Sequence, residues 1–242
     1  MPVREGPRRQ VQRPAPAVLG LSLTDFRRLY RWLNLTLIHQ AVWPALLLLT
    51  NAPAGAVEDL PLRWYLIRLA APALAAGLAL VYLAQPPARG SSRERGESRP
   101  APHLGPIQVQ ARLILFGLAA VLALARFALG PPGPALRLLV FGAADVAAFH
   151  LIHFGVVLRS SSSQDAERGA VALFTLSWGL RTALLVAVGA GRASVLLGFV
   201  GGVVLGAVIG AGSLALRRWL GGALAGSAFH WLVIYLILRF AG

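Results

Sequence analysis

Six side chains stand in apolar runs where residues of their type are expensive to keep: His39, His150, His153, His230, Asp145 and Arg181. A charged group at bilayer depth costs ~2.5–3.5 kcal/mol on insertion scales and tends to face a bundle interior, where it pairs or serves function. Asp145 and Arg181 lie about equally far on either side of a polar segment centred near Ser163. Two antiparallel helices joined there would bring them to one depth, as a proton or substrate site or as an ion pair locking two helices. Imidazole ligates metals and haem iron. His150 and His153 are three apart in Phe149-His150-Leu151-Ile152-His153, so an α-helix would put both on one face. Histidines from two helices could hold a b-type haem, or with Asp145 a metal ion. The alternative is a set of interhelical hydrogen bonds, since polar groups in membranes find partners.

The surrounding sequence says what must position these residues. Of 242 residues, 57% are hydrophobic and 13% charged, against about a quarter charged in soluble domains. Apolar spans of the ~20 residues that cross a hydrocarbon core recur at 34–50, 62–83, 108–129, 135–158, 169–189, 193–215 and 219–239. The expected fold is an all-α integral membrane bundle of about seven helices spanning 34–242 as one domain. A basic arm, 1–33, precedes it and ends in a short interfacial helix over 24–32, where bulky and basic residues alternate. A flexible basic loop, 84–107, interrupts it. At 1.5 Å rise per residue the four histidines lie roughly 8–17 Å from the cytoplasmic ends of their spans.

Arginine sets the orientation, because cytoplasmic loops retain basic residues. With the N-terminus inside, sixteen arginines fall on the cytoplasmic side. Arg63, Arg137, Arg192 and Arg239 fall outside, and Arg68, Arg126 and Arg181 fall within spans. This places the chain N-in and C-out in a bacterial cytoplasmic membrane. The net charge of +14 is then topological, and no nucleic-acid partner is expected. Asn51-Ala52-Pro53-Ala54 outlines a signal-peptide cleavage site, which would remove the first span; the long basic region before it and the polar interruptions at His39 and Gln40 favour a retained span. The chain has no cysteine, and all 23 basic residues are arginine, which excludes thiolate ligands and lysine Schiff bases.

Gly198, Gly202, Gly206 and Gly210 recur every four residues in the sixth span, and Gly222 and Gly226 lead to His230 in the seventh. Such stripes let helices approach closely and could also dock other membrane subunits; a cofactor lying flat against them is the sharper reading. Gly210-Ala211-Gly212-Ser213 has the outline of an intramembrane serine-protease element, but His230 sits most of a helix deeper than Ser213. No phosphate-binding glycine loop or aspartate-rich motif is present.

Arg217-Arg218-Trp219 with Phe229-His230-Trp231-Leu232-Val233-Ile234-Tyr235-Leu236 resembles the last helices of the ferric-reductase-like family of haem-binding membrane subunits. Leu151-Ile152-His153-Phe154-Gly155-Val156-Val157-Leu158 resembles that family's earlier haem helix, although here it runs inward, and the outward third span carries Arg126 in place of a histidine. The resemblance implies a haem-binding redox or electron-transfer subunit. The similar depth of the histidines, the glycine stripe that aims His230 inward and the aromatic neighbours Phe149, Phe154, Phe229 and Trp231, suited to a flat apolar ring, make His230 one axial ligand and His153 or His150 the other. Two other functions fit the same residues. One is a small-solute or proton-coupled transporter using Asp145 and Arg181; the other is an accessory or assembly subunit whose glycine faces are docking surfaces.

Overall fold

A computed structural model describes residues 17–18, 21–50, 56–85, 105–129, 131–158, 164–189 and 194–240. Apolar runs of membrane length satisfy every backbone polar group internally only as helices. Seven form here: α1 (Leu23–Leu49), α2 (Leu62–Ala84), α3 (Pro106–Leu129), α4 (Pro132–His150), α5 (Gln164–Gly189), α6 (Val195–Trp219) and α7 (Ala223–Phe240). Six carry windows long and apolar enough to cross a membrane, and α7 adds a shorter apolar stretch, Ala223–Tyr235. The protein is a multi-pass helical membrane bundle. A two-residue antiparallel pairing, Ala17–Val18 with Leu21–Ser22, precedes α1.

Two boundaries differ from the sequence reading for local reasons. The interfacial helix expected over 24–32 and the first span are one continuous α1 with Pro44 inside it; no glycine or proline separates them. The seventh helix begins at Ala223, because the Gly221-Gly222 pair turns the chain first, with φ of 66° and 147°. Gly222 therefore belongs to a turn and not to the glycine stripe; a side chain there would be strained. Arg126 lies in the last turn of α3, where it pairs with Glu58 at 3.7 Å. The basic loop, most of the basic arm and the proposed cleavage site lie outside the described residues.

Six helices close a ring in the order α1, α2, α4, α7, α6, α5, and α3 packs outside it against α4 and α7. The fourth span does not stop at the end of α4. It continues as a π-helical turn, Leu151–Val156, that leans inward to touch α1, α2 and α5. Around this turn the core divides into two layers. Trp32 and Leu35 of α1 meet Ala75, Ala79, Ala148 and Ile152. Phe149 and Phe154 meet Phe174 and Trp178 of α5 and Ile209 of α6. Small alanines on α2 and glycines on α6 let backbones approach, the packing that membrane helices use where no hydrophobic driving force separates lipid from protein.

A buried polar track at the centre of the bundle

The face of α1 that looks inward carries Trp32, Leu35, Thr36, His39, Gln40 and Trp43, all buried. Their three- and four-residue steps form one helical stripe. On α5 the same spacing aligns Phe174, Ser177, Trp178 and Arg181. Asp145, on α4 just before the π turn, is held between these two stripes. Arg181 Nη1 donates to Asp145 Oδ2 at 2.7 Å, and His39 Nε2 donates to Asp145 Oδ1 at 2.7 Å. Gln40 Nε2 donates in turn to His39 Nδ1 at 2.8 Å. The carboxylate thus has a partner on each oxygen, drawn from two different helices. Arg181 also lies over the rings of Phe149 and Trp178, 5.6 and 5.4 Å from their centroids.

Asp145 and Arg181 meet as their matched depths imply, but the helices do not pack side by side. α5 meets the fourth span chiefly at the π turn, and the long guanidinium spans the remaining distance. His39, grouped from the sequence with the candidate metal or haem ligands, instead spends Nε2 on Asp145 and Nδ1 on Gln40.

The π turn decides what the other histidines do. Its wider pitch breaks the three-residue register that would set His150 and His153 on one face, and such turns often mark functional sites. His153 Nδ1 donates to the carbonyl of Phe149 at 2.8 Å, and its Nε2 lies 2.8 Å from Ser177 Oγ. The Ser177 hydroxyl has one proton to share between that nitrogen and the Leu173 carbonyl at 3.0 Å. At the turn's far end Arg217 Nη1 donates to the Phe154 carbonyl at 3.2 Å. His150 faces the other way, toward His230 of α7, with ring centroids 5.4 Å apart and planes 43° from parallel. Both rings are buried, and neither His150 Nε2 nor either nitrogen of His230 has a hydrogen-bond partner.

Phe149 is the hub between the two groups. It contacts His39 at 4.8 Å, Trp178 at 5.5 Å and His230 at 5.3 Å, centroid to centroid. Gln40 and Ser177, the partners of His39 and His153, are absent from the candidate site residues that the sequence offers. The regular spacing of Ser177 between Phe174 and Arg181 was a signal that could have found it.

A porphyrin must extend on every side of the axis joining its two ligands. Around His150 and His230, Phe174 stands 6.1 Å from one ring and 5.2 Å from the other, and Phe149 stands 5.3 Å from His230, so a haem between the two would have to displace these rings. Among the described residues, no three His, Cys, Asp or Glu side chains gather as metal ligands.

The glycines of α6 serve the α5 interface. A Cβ on Gly198 would meet Val186, on Gly206 the Trp178 Cβ and on Gly210 the Phe174 ring, at 2.8, 2.6 and 3.0 Å. Gly226 lets α7 close on α6, where Ser213 Oγ donates to its carbonyl at 3.2 Å. That bond uses Ser213 in helix packing, with no contact to His230 that would suit a nucleophile and base.

Compared with known proteins, the chain matches no family model, no curated protein and no solved structure. The partial likeness to ferric-reductase-like subunits finds no support there.

Proposed function

We propose that this protein is a proton-coupled carrier of a bacterial cytoplasmic membrane, with Asp145, His39 and Arg181 as its proton site. One observation carries the reading: both oxygens of a buried carboxylate are engaged, one by a titratable imidazole and one by a guanidinium, on different helices. Arg181 offsets the carboxylate charge, leaving His39 as the group whose charge can change. Gln40 makes that change inexpensive. Its amide now donates to Nδ1; turned over, the same amide presents its oxygen to a protonated Nδ1. Proton arrival at His39 would then strengthen its bond to Asp145 and alter the forces holding α1 and α5 to the fourth span. Intramembrane ionisable groups of this kind mark proton relays and substrate paths, and the arginine bias of the loops puts the N-terminus inside.

The test is proton flux in vesicles carrying the purified protein and a pH-sensitive dye, driven by an imposed potential and then by added small solutes. Wild-type protein should carry protons above the empty-vesicle rate, and Asp145→Asn and His39→Phe should each lower the flux at least tenfold. Flux equal to that of empty vesicles under every solute defeats the reading.

The redox alternative keeps one specific observation in its favour, the two unpartnered imidazoles of His150 and His230. An accessory role has the close α5 and α6 faces, which are already used within the chain.

A further inference from the structure

We infer that His150 and His230 form a two-coordinate site for one cuprous ion, a function separate from the proton site and resting on different residues. Burying an imidazole nitrogen without a partner costs free energy, and buried polar groups are satisfied as a rule. His39 and His153 obey it, with both nitrogens engaged. Nε2 of His150 and both nitrogens of His230 depart from it side by side, at the end of a π turn, as does the indole Nε1 of Trp178 beside His230. Each neutral ring can offer a lone pair to a shared guest.

The surroundings select the guest. Two imidazoles sharing an ion in a line at about 2.0 Å each would hold their ring centroids about 6.3 Å apart, so from the observed 5.4 Å the rings must separate by roughly 0.9 Å on binding. Zinc, magnesium and calcium take four or more ligands and a neutralising anion, and both oxygens of the nearby Asp145 are already engaged. Cuprous copper is satisfied by two nitrogen donors in a line and brings a single charge. Phe149, Phe174 and Trp178 stand 5.3, 5.2 and 5.7 Å from the His230 ring and enclose it in apolar surroundings.

The experiment uses the full chain in detergent, incubated with Cu(I) under ascorbate and challenged with a colorimetric Cu(I) chelator. The wild type should retain one copper per chain. His150→Phe and His230→Phe should each weaken retention at least tenfold, while His153→Phe should not. Copper lost wholly to the chelator, retention by the His150 or His230 variant equal to that of the wild type, or retention of Zn(II) equal to that of copper would overturn the assignment; the first of these is the outcome if a water alone fills the site. If either variant fails to fold, X-ray absorption of the copper-loaded wild type decides. Two nitrogen scatterers with imidazole outer shells support the site, and three or more ligands reject it. Proton flux is read on Asp145 and His39 variants, so failure of either proposal leaves the other standing.

Discussion

Gly202 of α6 sits so close to Trp178 of α5 that a Cβ on the glycine would lie 2.5 Å from the tryptophan's backbone carbonyl oxygen. Its neighbour Gly201 has nothing within 4 Å of the same hypothetical atom. The two adjacent glycines therefore predict opposite outcomes. Gly202→Ala forces two backbones apart and should destabilise by ~1–3 kcal/mol. Gly201→Ala should be neutral or stabilising by ~0.5–1 kcal/mol, because alanine loses less freedom on folding into a helix. Thermal unfolding of the detergent-solubilised variants measures both, and equal melting temperatures would refute the close approach.

Asp145→Asn strands the Arg181 guanidinium in the bundle interior. Removing one partner of a buried pair costs ~3–5 kcal/mol, whereas replacing both often costs much less. The double change with Arg181→Gln should therefore recover folded yield relative to Asp145→Asn alone. Losses that simply add in a double-mutant cycle would show that the 2.7 Å contact carries no coupling.

Ser177 and His153 should behave as a second coupled pair. Ser177→Ala leaves His153 Nε2 buried without its 2.8 Å neighbour, at a cost of ~1–3 kcal/mol. Adding His153→Phe removes the stranded nitrogen and should restore part of that loss. A double variant less stable than Ser177→Ala would argue that His153 is held by its Phe149 contact alone.

Orientation can be read directly, because the chain contains no cysteine. Single cysteines placed by Ser98→Cys and by Gly242→Cys should react with an impermeant thiol reagent from opposite sides of the membrane, Ser98→Cys from the cytoplasm and Gly242→Cys from outside. Labelling of both from one side would remove the odd number of crossings.

Much of the architecture is legible in the sequence because membrane helices obey a strong local constraint. Apolar runs such as 62–83 and 193–215 must be helical to satisfy their own backbones, and α2 and α6 fall within a few residues of them. The four-residue glycine period marked the close face of α6, since that geometry is intrinsic to one helix. Depth matching brought Asp145 opposite Arg181, because rise per residue converts position into height. The rest depended on tertiary structure. Height says nothing of azimuth, so the sequence left open that His39 of α1 takes the second carboxylate oxygen. It also left open that the six-residue turn at Leu151–Val156 separates His153 from His150. A π turn has no compositional signature; this one accompanies the burial of His153 against Ser177 and of Phe154 against Phe174. Once that packing is made, Nε2 of His150 and both nitrogens of His230 are left without a hydrogen-bond partner, and only the folded bundle brings the two rings within 5.4 Å of each other.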